Sequence, residues 1–230
     1  MVKEGYYFGL PLLVLAVAAY LLGWAAAAIA CVFLALFIFS FFRDPERVIP
    51  NEAGAIVSPA DGRVVVVTEE DYGGRPGKRV SIFLAVWNVH VNRAPAEGTI
   101  TNLEYKPGKF LAAMREQASL ENEQNVFALS TDAGEMVFKQ IAGLIARRVV
   151  SWKKAGDRVA RGQRIGLVRF GSRADVWLPR DAQMLVKVGD HVKGGASVLA
   201  KWMPKANSAA LEEHHTRVAQ AGEPARGKKA

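Results

Sequence analysis

The chain has 230 residues, enough for one domain with its own core plus an appendage. Half of its residues are hydrophobic, its net charge is +8, and its one cysteine, Cys31, argues against a disulfide framework, a zinc site or thiol catalysis. The sequence shows neither a basic helix nor a sheet mixing aromatic and basic residues, so the positive charge points to an anionic membrane surface and not to nucleic acid.

Lys3 and Glu4 are followed by an uncharged run from Gly5 to Phe42, "GYYFGLPLLVLAVAAYLLGWAAAAIACVFLALFIFSFF". It exceeds the roughly 7–15 apolar residues of a secretory signal, and no convincing A-x-A-like cleavage site ends it. As one straight helix it would reach about 57 Å, well past a hydrocarbon core of about 30 Å. Residues 1–43 are therefore expected to form a transmembrane helical hairpin, with Pro11 close to the first entry point, Gly23 near the middle and Trp24 near the turn. A single tilted helix with an interfacial continuation is the alternative. A hairpin puts Lys3, Arg43 and Arg47 on one face, which the positive-inside rule makes cytoplasmic. The expected location is the cell (inner) membrane, with the following domain on its cytoplasmic side.

Residues 44–204 read as a β-rich domain. "GRVVVV", "KRVSIFLAVW", "GTITNLEY", "QNVFALS", "GEMVFKQIAGLIARRVV", "RIGLVRF", "ADVWLP", "MLVKVG" and "SVLAKW" are all predicted strands, and "LAAMREQASLENEQ" a short helix or ordered loop. "AGDRVARGQRIG" and "VGDHVKGGASVL" echo each other 33 residues apart, from Gly156 to Gly189. Gly-Asp supplies turn chemistry before each strand, as in swapped-hairpin barrels of the biotinyl and lipoyl carrier type. The expected fold is mainly β with minor α, a barrel-sandwich or swapped-hairpin-like domain behind the membrane hairpin. Residues 205–230 read as a basic, disordered tail in which His214 and His215 are solvated.

Three segments can carry chemistry. "IVSPADGRV" offers Asp61 in a tight turn, "AVWNVHVNRAP" offers His90 inside an apolar strand, and "RFGSRADVWLP" offers Ser172 after Gly171. Singly, each has a plain structural explanation. Together they supply the types needed to orient a base, remove a proton and attack a carbonyl. One use is a serine hydrolase. The other begins with Ser172 attacking the carbonyl of Gly171, converting the peptide to an ester. β-Elimination then cuts the chain and leaves a dehydroalanine that hydrolyses to a pyruvoyl group. Glycine permits the close approach and strained turn that this attack needs.

The chain resembles the phosphatidylserine decarboxylase proenzymes, in particular their short, type A, membrane-associated prokaryotic branch. The matching stretches are "FRDPERVIP", "VSPADGRV", "FLAVWNVHVNRAPAEG", "ENEQN", "QIAGLIARRVV", "GDRVARGQRIGLVRFGSRADVWLP" and "VKVGDHVKGGASVLA", from about Phe42 to Trp202. The resemblance implies self-cleavage between Gly171 and Ser172 and a covalent pyruvoyl cofactor derived from Ser172. It implies a large chain of residues 1–171 paired with a small chain of residues 172–230, able to assemble further. Asp61 matches the family's self-processing aspartate and His90 its active-site histidine. Arg93 stands where the long branch has a second histidine, which leaves His90 to serve both processing and turnover. The implied substrate is the anionic lipid phosphatidylserine, whose amine condenses with the pyruvoyl ketone. Loss of CO2 and protonation, assigned to His90, then give phosphatidylethanolamine, with no metal required. Of Arg147 and Arg148, one approaches the lipid phosphate or both are solvated.

The strongest rival is a non-catalytic membrane-anchored adaptor with S-P-x-D-G and G-D-x-V hairpins. Such adaptors insert a long coiled coil, and nothing between Gly62 and Gly156 sustains heptads. A carrier domain would need a modifiable lysine at the hairpin tip, where "RFGSRAD" stands instead.

Overall fold

The computed structural model describes residues 1–132, 134–144, 148–169 and 172–202. The uncharged run forms two helices, α1 (Lys3–Leu21) and α2 (Ala25–Phe41), joined through Gly23 and Trp24. Val2 N–H donates to Phe42 O at 3.1 Å, so the open ends of the hairpin lie side by side. Gly5 and Gly9 let the helices touch: a Cβ on Gly9 would fall 2.2 Å from the Phe39 ring, and one on Gly5 would fall 3.0 Å from Phe42 Cβ. At 1.5 Å per residue the helices are about 28 and 26 Å long, and α1 is long and apolar enough to cross a membrane. Tyr7, Val14, Leu21 and Phe33 stay exposed on their outer surfaces. Helices apolar on all sides need lipid or protein around them.

The remaining chain is mainly β, as expected. In order come β1 (Ala55–Val57), β2 (Gly62–Glu69), β3 (Gly77–Leu84), β4 (Val91–Arg93) and β5 (Gly98–Lys106). A one-turn helix, α3 (Ala118–Glu121), precedes β6 (Gln124–Thr131), β7 (Gly134–Ile141), β8 (Val149–Ser151), β9 (Arg158–Val159) and β10 (Arg164–Val168). The last strands are β11 (Ser172–Pro179), β12 (Gln183–Met184), β13 (His191–Val192) and β14 (Val198–Lys201). The main sheet is antiparallel, in the order β13-β2-β3-β11-β7-β6-β5-β9, and two three-stranded sheets, β1-β14-β12 and β4-β10-β8, flank it.

Two strands end earlier than the sequence suggests. "KRVSIFLAVW" stops at Leu84, because Asn88 closes a turn by accepting the Ala85 N–H on its side chain at 2.8 Å and donating its own N–H to Ala85 O at 2.9 Å. His90 therefore precedes β4 and is not inside a strand. "GEMVFKQIAGLIARRVV" divides because β7 belongs to the main sheet while β8 pairs with β10 in another.

The Gly-Asp units occupy the two edges of the main sheet, next to β9 and β13. Asp157 accepts the Lys154 N–H at 3.0 Å and Asp190 the Lys187 N–H at 2.9 Å. The duplication goes further than the sequence reading found. "VSPADGRV" (57–64) and "RAPAEGTI" (93–100) hold matching places: Val57 N–H donates to Pro95 O at 2.8 Å, and Arg93 N–H to Pro59 O at 2.9 Å. Gly62 pairs with Val192 as Gly98 pairs with Val159. Gly162 and Gly195 both take positive φ, 74° and 77°. A Cβ on Gly195 would lie 3.5 Å from Gly162 Cα and 3.1 Å from Ile49. The two sheet edges thus approach each other, curling the sheet around a core that includes Val64, Ile82, Leu84, Phe127, Phe138 and Ile165.

Candidate active site

β11 runs between β3 and β7, and Ser172, its first residue, pairs with Leu84. Side chains alternate along a strand, so Ser172 shares the core-facing side with Ala174, Val176 and Leu178. It is fully buried, and its Oγ has no hydrogen-bond partner among the described residues. An unsatisfied buried hydroxyl costs about 1–3 kcal/mol. Gly171, the other half of the expected cleavage site, lies outside the described residues.

The opposite face of β11 is densely paired. Arg173 and Asp175, both fully buried, form an ion pair at 2.7 Å, and Arg173 donates to Ser81 Oγ at 2.7 Å. Glu116 pairs with Arg79 and, at 3.3 Å, with Arg173; Ser119 Oγ donates to Asp175. The polar stretch around α3 closes over these charges and satisfies them.

His90 is 2% exposed, and its ring meets that of Phe41, at the end of α2, with centroids 4.2 Å apart. Its Nδ1 lies 2.9 Å from Asn88 O, a contact that assigns the Nδ1 proton and leaves Nε2 with its lone pair. Burial pushes the His90 pKa down to about 4, with the nearby Arg43 charge adding to the drop and the Asn88 bond opposing it. The backbone carbonyl of His90 accepts the Val168 N–H at 3.2 Å, which fixes the histidine segment to the strand leading into residue 172.

Asp61 does not orient His90. Its carboxylate accepts two bonds from Arg47, at 2.8 and 3.0 Å, and one from Gly194 N–H at 2.7 Å. Asn88 O takes the orienting role that sequence reading gave to an acid. Arg93 donates to Gly162 O at 3.1 Å and pairs with Asp44 at 3.0 Å, so it fastens the chain leaving α2 to the β domain. Asp61 and Asn88 also line a cavity of about 610 Å³ between β2, β13 and the turn after β3. Arg148 is exposed, and Arg147 lies outside the described residues.

A buried chain of amides joins several of the motifs. Asn125 donates to Gln140 at 3.0 Å, Gln140 to Asn92 at 2.9 Å, and Asn92 to Pro59 O in the Asp61 turn at 3.4 Å. Arg47, Asn88, Phe41 and this relay were missed as individual site residues. Their contacts cross the fold; the sequence signal was no more than membership of the matching stretches and, for Phe41, of the uncharged run.

These residues define a β protein with an apolar helix pair set against one edge of a buried polar centre. The chain belongs to the phosphatidylserine decarboxylase family, whose model matches residues 34–200. It is 50% identical over 204 residues to a phosphatidylserine decarboxylase proenzyme of Symbiobacterium thermophilum, covering 86% of this chain and 94% of that one. A proenzyme of the same name from Solibacter usitatus is 49% identical over 205 residues, 87% and 96% of the two chains. One from Ralstonia pickettii is 48% identical over 171 residues, 73% and 80%.

Proposed function

We infer that this protein converts phosphatidylserine to phosphatidylethanolamine and CO2 after cutting itself between Gly171 and Ser172. The observation that carries this reading is the buried Ser172 hydroxyl at the head of the central strand, which has no hydrogen-bond partner among the described residues, in a member of this family. A buried hydroxyl that no described residue bonds is explained if its use is nucleophilic. As Oγ bonds to the Gly171 carbonyl carbon, the peptide C–N bond breaks and a base takes the hydroxyl proton. Loss of the Cα proton of residue 172 to a base expels the Gly171 carboxylate from Cβ, and water replaces the nitrogen of the resulting dehydroalanine, which leaves as ammonia.

The pyruvoyl ketone so formed supplies the electron sink for decarboxylation. His90 is the proposed base and, in turnover, the proposed proton carrier: with a pKa near 4 it is neutral at pH 7, and Asn88 holds its Nδ1–H. Asp61, kept rigid by Arg47 and Gly194, contributes a fixed carboxylate to self-processing rather than a partner for the imidazole. The α1–α2 hairpin supports membrane attachment, and Lys3, Arg43 and Arg47 support a cytoplasmic position for the β domain.

Intact mass of purified wild-type protein and Ser172→Ala, before and after treatment with a carbonyl-directed hydrazine, tests the reading. Two wild-type fragments are expected, dividing between residues 171 and 172, with the smaller one lacking a free amino terminus and taking up hydrazine. Ser172→Ala stays whole. An uncut wild-type chain that still turns over substrate would overturn this proposal.

A further inference from the structure

The cavity beside Asp61 has a cationic wall and an apolar rim. Arg63 pairs with His191 across β2 and β13, while the flanking Val64 and Val192 point into the core. Alternation therefore projects Arg63, His191 and Lys193 from the same outer face, where all three line the cavity. Arg63 and Lys193 are exposed, and neither makes an ion pair among the described residues. The equivalent edge at β9 differs: Thr99 stands in the place of Arg63, Ala160 in that of Lys193, and Arg158, matching His191, is paired with Glu97 at 3.4 Å. At these three matched positions, positive charge without an ion-pair partner among the described residues lies on the edge that carries Asp61.

The rim is made by Trp87, Met114 and Val188, which are 77%, 66% and 58% exposed. Arg43, just past α2, donates to Trp87 O at 2.6 Å, which places this rim at the chain's exit from the apolar hairpin. The inner wall includes Phe83 and Ala85, which flank Leu84, the strand partner of Ser172, so the cavity lies beside the backbone of the strand pair that begins at residue 172, on the face opposite the Ser172 side chain.

We propose that this cavity is the lipid subsite, with Arg63 and Lys193 binding the phosphodiester of a membrane glycerophospholipid and Trp87, Met114 and Val188 meeting its glycerol and acyl-chain roots. The occupant follows from charge complementarity and from the cavity's position between the hairpin exit and the strand that begins at Ser172. Guanidinium and ammonium donors suit an anionic phosphodiester, and an exposed tryptophan suits a bilayer interface. This site rests on the decarboxylase reading and deepens it.

The test uses full-length protein in mixed micelles of varied phosphatidylserine mole fraction, with sn-glycero-3-phosphoserine as a soluble competitor. In the double variant Arg63→Gln/Lys193→Gln, self-cleavage and hydrazine uptake should match wild type, while the interfacial KM rises at least tenfold and inhibition by the competitor weakens in parallel. Arg158→Gln removes one charge at the equivalent edge and should leave KM within twofold. A processed double variant with wild-type KM and inhibition would overturn the site, as would an equal rise in KM for Arg158→Gln, which would show a general surface-charge effect. A wild-type chain that lacks both hydrazine uptake and turnover would overturn the decarboxylase reading, and this site with it.

Discussion

The two duplicated halves of the β domain carry nearly the same turn and use it differently. Pro59-Ala60-Asp61-Gly62 and Pro95-Ala96-Glu97-Gly98 exchange matching backbone bonds and lead into strands with matching partners. Glu97 faces solvent, its side chain 64% exposed against Arg158. Asp61 is held at 13% exposure by Arg47 and Gly194. Gly194 belongs to the duplication; the rest of the difference comes from outside it, from the segment leaving α2. Phe41 covers His90, Arg43 binds the Trp87 carbonyl, Asp44 binds Arg93, and Arg47 binds Asp61. A symmetric scaffold supplies two cradles, and the segment leaving α2 makes one of them a candidate site.

The sharpest way to break this comparison is to remove each acid in turn. Asp61→Asn should slow self-cleavage by about 10²-fold or more, the scale on which positioned acid–base groups act. Glu97→Gln should leave it within twofold. The rates are read as conversion of full-length chain to fragments over time. Equal effects at the two positions would mean that both acids serve only their turns.

Much of the scaffold was legible because β-branched runs and Gly-Asp turns are local signals, and the helix pair because an uncharged run announces itself. The 36-residue repeat of P-A-[DE]-G was also in the sequence, but at four residues it is too short to stand out before the hydrogen bonds reveal it. The site was legible only in part. Nothing near Asp61 in sequence names Arg47 as its partner, 14 residues away, and an aspartate beside a histidine in a list of residues suggests a dyad that the fold does not build. The strand extending through His90 misled for a similar reason: "LAVWNVHV" has strand composition, and the Asn88 turn overrides it.

His90 gives the next largest effect, and its sign follows from burial under Phe41. The unfolded histidine titrates near 6.5 and the folded one near 4, so between those values the unfolded chain binds the extra proton. This contribution to stability is complete above pH 6.5 and is lost as pH falls toward 4. At pH 5 the loss should be about 2 kcal/mol. Denaturant midpoints of Ser172→Ala, which removes self-cleavage from the measurement, should fall between pH 7 and pH 5 by more than those of Ser172→Ala/His90→Gln. Parallel pH dependences would mean that His90 is not buried as a neutral ring.

Arg47 tests whether the segment beyond α2 creates the asymmetry between the halves. Arg47→Ala leaves the Asp61 carboxylate with Gly194 N–H as its remaining hydrogen-bond donor among the described residues, and self-cleavage should slow about tenfold, the kinetic equivalent of losing one net charge-assisted bond of about 1.4 kcal/mol. Arg47→Lys keeps the charge and should recover part of that rate. Failure of lysine to recover any of it, together with an equal loss of denaturant stability in both variants, would assign Arg47 to packing alone.

The smallest effect belongs to the other half. Arg158 and Glu97 meet at 3.4 Å with side chains 80% and 64% exposed, a geometry in which solvent screening and side-chain entropy cancel most of the attraction. Arg158→Ala should therefore change stability by no more than about 0.5 kcal/mol, measured by denaturant titration of the Ser172→Ala background. A loss above about 1 kcal/mol would show that the Glu97 cradle is also held by its ion pair, and the contrast with Asp61 would then be one of exposure and not of energetic use.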